Sequence, residues 1–167
     1  MDRAWLNDIA KRPRINPTDV LKEIGPLKEG VDRKVRGFRA PRLKRKREII
    51  EACLFCFGLS CRMERPVWVV DHEAFDYDFV AVSENNGNNF FAPTQLKEVV
   101  PNHLNQLSSV QSVIDKVAHA YPASPDLTVA IRINRHIMLD LDRIDISRLS
   151  VAALWLYGAS SRDGSHW

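Results

Sequence analysis

Residues 75–100, FDYDFVAVSENNGNNFFAPTQLKEVV, hold two runs of extended-chain pattern around a turn. From Asp76 to Ser83 the side chains alternate, with Asp76, Asp78, Val80 and Val82 on one face and Tyr77, Phe79 and Ala81 on the other. Glu84–Asn89 is dense in residues that tolerate positive φ, so a loop is expected there. From Phe90 to Val100 a second strand is expected, with Gln95, Lys97 and Val99 sharing one face and Leu96, Glu98 and Val100 the other. Paired, the two strands bring acidic groups, an amide oxygen and an ammonium to one end of a half-buried sheet. Such polar convergence is costly for a fold that has no use for it.

Metal-dependent phosphodiester hydrolysis needs this set of groups. Carboxylate and carbonyl oxygens hold a hard divalent cation, the cation polarises the phosphate and acidifies a bound water, and a lysine orients that water or offsets developing charge. The order of Asp78, then Gln95-Leu96-Lys97 on the next strand, resembles the PD-(D/E)xK nuclease superfamily, in the branch with glutamine at the second acidic position. Pro93 stands just before the triplet, whereas Tyr77 precedes Asp78 where the family pattern has proline. The resemblance implies Asp78, Gln95 and Lys97 as catalytic residues, with Asp78 and Gln95 also holding Mg²⁺ or Mn²⁺. It further implies a metal-binding catalytic glutamate from the helix before the sheet; Glu51 is the first candidate and Glu48 the reserve. Both also fit a simpler role, balancing neighbouring Arg and Lys side chains.

The 167 residues suit one domain with a substantial core. The net charge of +3 conceals an uneven distribution. Residues 33–47, RKVRGFRAPRLKRKR, hold nine of the 24 basic residues and no acid, leaving 15 basic against 21 acidic residues elsewhere. A block of this kind faces polyanions, since each neutralised phosphate releases counterions. Arg36, Arg39, Arg42, Lys44, Arg45, Lys46 and Arg47 are therefore expected to bind nucleic acid, with DNA the favoured substrate; the bland alternative is a solvated segment. The start, MDRAWLNDIAKRPR, is too charged for a secretory leader, and the longest mainly apolar run, Ala52–Cys61, is too short to span a bilayer. A cytoplasmic protein without membrane contact is the expectation.

In chain order, short helices are expected at residues 2–11 and from Pro17 to Gly25-Pro26, the second with Asn16 as N-cap. Residues 1–32 then form a helical N-terminal extension, 33–47 a basic arm, and 43–160 a single core. Within that core a helix is expected over Leu43–Ser60 and a strand over Pro66–Val70, ahead of the two strands above. A helix over Leu104–Tyr121, a strand over Leu127–Ile133 and a final helix opening at Asp145 follow. The fold class is α/β with a mixed sheet, and its helix–three strands–helix–strand order is that of the restriction-endonuclease-like core.

Other chemistry finds less support. Cys53, Cys56 and Cys61 lack a fourth ligand at zinc spacing and read as small apolar residues. The five histidines form no motif; His72 lies near the proposed site, in Asp71-His72-Glu73, which is either part of the site or a polar turn. Asp76 is placed to assist Asp78. Asp140, Asp142 and Asp145 fit capping as well as metal binding, and Phe90 and Phe91 fit packing or base stacking. The sequence thus points to a metal-dependent endonuclease, with a homodimer expected if both strands of a duplex are cut. The alternative is a non-catalytic module binding nucleic acid or protein on a degenerate nuclease fold.

Overall fold

The hairpin closes on Asn86-Gly87, whose φ angles of 52° and 76° give the two-residue turn that suits twisted strands. Strand β3 (Phe79–Asn85) pairs antiparallel with β4 (Asn88–Val99), from Asn85↔Asn88 back to Phe79↔Thr94. The expected Glu84–Asn89 loop is shorter than its composition suggests. Asn-Gly supplies both left-handed residues, and the polar residues on either side stay in the ladder. At the other end β3 starts at Phe79 rather than Asp76.

The computed structural model describes residues 2–24, 44–74 and 76–159. Among them, six strands form one mixed sheet in the order β1 to β6. β1 (Arg14–Ile15), β2 (Val67–Val70), β3 and β4 pair antiparallel; β5 (Ser124–Ile133) and β6 (Val151–Tyr157) run parallel to β4. The helices are α1 (Arg3–Lys11), α2 (Pro17–Glu23), α3 (Lys44–Met63) and α4 (Val110–Ala120). From α3 onward the order is helix, three antiparallel strands, helix, parallel strand, as the periodicity predicts. Pro93 falls just before β4 gains its second neighbour at Thr94, where its missing N–H costs no ladder bond to β5.

Each sheet face carries a core. On one, Ala52, Cys53, Phe55 and Cys56 of α3 pack on Val69, Phe79, Ala81 and Ala130. On the other, Val113, Ile114 and Val117 of α4 pack on Val80, Val82, Val99, Val129 and Ile131. Strands covered on both faces are apolar on both, which is why β5 reads as a continuous run. Residues 2–24 contribute to both layers. Ile9 of α1 enters the α4-side core, β1 extends the sheet beside β2, and Val20 and Leu21 of α2 join the α3-side core. Asn16 caps α2 as predicted, accepting from Thr18 N at 3.0 Å.

Three expectations need correction. The final helix is strand β6: Leu154 and Leu156 meet the α4-side core, while Trp155 and Tyr157 meet Phe55 at ring separations of 6.4 and 5.4 Å. An alternation between two apolar faces leaves no polar mark in a sequence. The helix expected from Leu104 starts at Val110, because the Ser109–Ser112 capping box sets its start. Leu107, on the expected stripe, is 88% exposed in the preceding turns. α3 runs three residues beyond Ser60, to Met63. Gly25, Pro26 and the basic arm up to Leu43 lie outside the described residues.

Candidate functional site

Asp78 sits immediately before β3 and continues its ladder with a side chain. Its N–H donates to Thr94 O at 2.9 Å, and its carboxylate Oδ2 accepts from Leu96 N at 2.7 Å. Gln95, only 8% exposed, donates from Nε2 to the same Oδ2 and to Leu96 O, the latter at 3.2 Å. Its Oε1 accepts from the Tyr121 hydroxyl at 2.8 Å. Lys97 Nζ donates to that hydroxyl at 3.4 Å and stands 5.4 Å from the centroid of the Tyr121 ring. Strand alternation puts Gln95 and Lys97 on the α4 face with Val99, and Tyr121 reaches them as the C-cap of α4.

The ionisable groups here are displaced toward their neutral forms. Burial raises the Asp78 carboxyl, opposed by the Leu96 N–H; Glu48 and Glu73 add to the rise, and Lys97 opposes it. Burial lowers the Lys97 ammonium, opposed by Asp78. The Tyr121 phenol is raised by burial, then by Asp78 and Asp76. Opposite shifts on adjacent acid and base are a pattern that functional sites share.

Around this group lies a set of charged side chains gathered on Arg45. Its Nη1 donates to Asp78 O at 2.9 Å, and it is paired with Asp71, with Glu48 at 3.5 Å and with Glu73 at 3.6 Å. Asp71 and Glu73 therefore belong to the site's surroundings, held on a cation from α3. Lys44 pairs with Glu48 at 3.3 Å. Arg45, expected to face nucleic acid, is thus committed to acids of its own chain. Arg36, Arg39 and Arg42 lie outside the described residues.

Asp78, Gln95 and Lys97 come together, and Glu51 does not join them. Glu51 pairs with Arg132 of β5 at 3.4 Å, near Glu98, on the α3 face of the sheet. One turn away, Glu48 is the α3 glutamate whose charge reaches Asp78. Apolar flanking residues favour Glu51 in the sequence, yet its carboxylate is held by Arg132 of β5.

Several of the remaining candidates have structural surroundings of their own. Cys53 and Cys56 are buried, which pushes the Cys53 thiol up to about 11. Asp140 pairs with Arg143 at 3.0 Å, and Asp145 accepts from Ser147 N at 2.9 Å. Phe91 packs edge-on against Trp5, and Phe90 is exposed. Among the described residues no three His, Cys, Asp or Glu side chains are grouped to hold a metal ion, and no helix is long and apolar enough to cross a membrane. Tyr121 is the site residue that sequence reasoning missed; its only signal is its place at the end of the α4 stripe, before Pro122. The chain matches no protein-family model, no curated protein and no solved structure.

Proposed function

We propose that this chain hydrolyses phosphodiester bonds in nucleic acid, DNA in the first instance, with a divalent cation held at Asp78 and Gln95. The observation that carries the proposal is the joining of Asp78, Gln95 and Lys97 in one hydrogen-bonded group at the end of the sheet. The donor set fits a hard cation: Gln95 Nε2 lies between Asp78 Oδ2 and Leu96 O, and turning the amide over replaces that nitrogen with an oxygen. The turn gives up the bonds to Asp78 and to Leu96 O and makes Tyr121 accept from the amide instead of donating to it, a change that cation ligation would have to offset. A cation held there would polarise the phosphate and acidify a water. Asp78 supplies the negative charge, Lys97 orients the attacking water and steadies charge on the phosphate, and Glu48 takes the place first given to Glu51. Lys44, Lys46 and Arg47 in the first turn of α3, with the arm before them, supply backbone affinity. A restriction-endonuclease-like core, a cytoplasmic location and a paired homodimer on duplex substrate belong to the same proposal.

One observation favours a binding module instead: the Asp78 carboxylate and the Gln95 amide satisfy each other through their own hydrogen bonds. Calorimetric titration of Mn²⁺ into wild-type and Asp78→Ala protein separates the two. Binding heat that Asp78→Ala removes is expected. No heat from either protein, together with DNA retardation that weakens steeply as salt rises, would turn the assignment to the binding module.

A further inference from the structure

The hydrogen bonds around Tyr121 run in one direction. The Lys97 ammonium can only donate, so it takes a lone pair of the Tyr121 oxygen. The hydroxyl hydrogen goes to the other neighbour, Gln95 Oε1, at 2.8 Å. With Oε1 so engaged, the amide nitrogen faces two acceptors, Leu96 O and Asp78 Oδ2, the latter also accepting from Leu96 N. Donation therefore passes from Lys97 to Tyr121 to Gln95 to Asp78. A phenylalanine at 121 would keep the ring beside Lys97 and break the chain at its middle.

We propose that Tyr121 is the positioning residue of this site: its hydroxyl, shared by Lys97 and Gln95, holds the oxygen end of the Gln95 amide and so acts with the acceptors Asp78 and Leu96 O to keep the nitrogen end toward Asp78. The resting site is then latched with N–H toward the carboxylate, and admitting a cation requires Tyr121 to change from donor to acceptor toward Gln95. The consequence for catalysis rests on the phosphodiesterase proposal; the orientation itself does not. Without the hydroxyl, an amide bonded only to Asp78 and Leu96 O leaves a buried Oε1 without a donor.

The test is the side-chain NH₂ resonance of Gln95 in ¹⁵N-labelled full-length protein, identified by its loss in Gln95→Glu. In the wild type it should exchange slowly with solvent and carry one downfield proton bonded to the carboxylate. Tyr121→Phe should move that resonance and speed its exchange, while Tyr77→Phe, which also removes a buried phenol, should leave it in place. In a nicking assay Tyr121→Phe should lower kcat by about 10- to 100-fold, as misplacement of a positioned group does, with little change in KM. An unmoved Gln95 resonance in Tyr121→Phe overturns the proposal even if the protein nicks DNA. A moved resonance in a protein that never nicks keeps the role of Tyr121 and removes the hydrolytic reading. Should Tyr121→Phe not fold, the wild type decides: a Gln95 NH₂ exchanging as fast as that of exposed Gln106 overturns the latch.

Discussion

Removing the hydroxyl of Tyr77 tests how the N-terminal helix is fastened beside the site. Tyr77 is 6% exposed, and its oxygen accepts from Trp5 Nε1 at 2.8 Å. Because indole N–H can only donate, the phenol hydrogen is left for His72 Nδ1, 2.6 Å away. His72 is then neutral with its other nitrogen protonated, facing Asp8 of α1 at 3.8 Å. Tyr77→Phe keeps the edge-on ring contact with Trp5, at 6.3 Å, and the stack on His72, at 5.6 Å, so the variant isolates the two hydrogen bonds. At about 0.5–1.5 kcal/mol each, their loss should destabilise the fold by about 2 kcal/mol. For a chain of this size that lowers Tm by about 4–8 °C. Urea denaturation and calorimetry of Tyr77→Phe, Trp5→Phe and the double variant give the coupling directly, expected near 1 kcal/mol. A single variant within about 0.3 kcal/mol of wild type, with zero coupling, would mean the contact contributes nothing and the reasoning is wrong.

Three further outcomes follow from the same structure. His72 titrates below its ordinary 6.5, first because it is buried, then because Arg12 and Arg45 face it; Asp8 and Asp71 oppose the shift. The unfolded chain therefore takes up this proton more readily, so stability should fall as pH drops from 6.5 through the folded value, and His72→Asn should reduce that acid loss in pH-dependent urea melts. Gly87, at φ 76° with open space around it, should lose about 1–2 kcal/mol on substitution by alanine for backbone reasons alone, and Gly87→Asn should lose less in the same measurement. Glu51→Gln should leave any nicking rate unchanged while Glu48→Gln slows it, as read by single-turnover cleavage; the reverse ranking would restore the sequence-based preference for Glu51.

How far the sequence discloses this fold depends on whether polar residues mark a boundary. The β3–β4 hairpin was legible because Asp78, Val80 and Val82 alternate with Tyr77, Phe79 and Ala81 and because Asn-Gly names its turn. Asn16-Pro17 announced α2 through local capping chemistry. β6 was not legible: VAALWLY packs on both faces, so its period of two is written in one kind of residue and fits a helix equally well. Leu104 and Leu107 continued the α4 stripe by chance of spacing, and only the Ser109 cap contradicted it. The same distinction governs the site. Asp78, Gln95 and Lys97 come together through a strand register that spacing predicts. Tyr121 arrives from the far end of a helix, and Glu51 departs because a small rotation about α3 places it over β5 and Arg132. Such placements depend on how layers pack, which no local pattern records.

Plasmid nicking bears on the hydrolytic proposal more directly than any of these. Supercoiled DNA is incubated with wild-type and Lys97→Ala protein in Mg²⁺, in Mn²⁺ and in chelator. Nicking that requires the metal and disappears in Lys97→Ala is expected. DNA that is retarded by the wild type but never nicked in either metal would leave Asp78, Gln95 and Lys97 as the structural end of a strand ladder and the chain as a binding module.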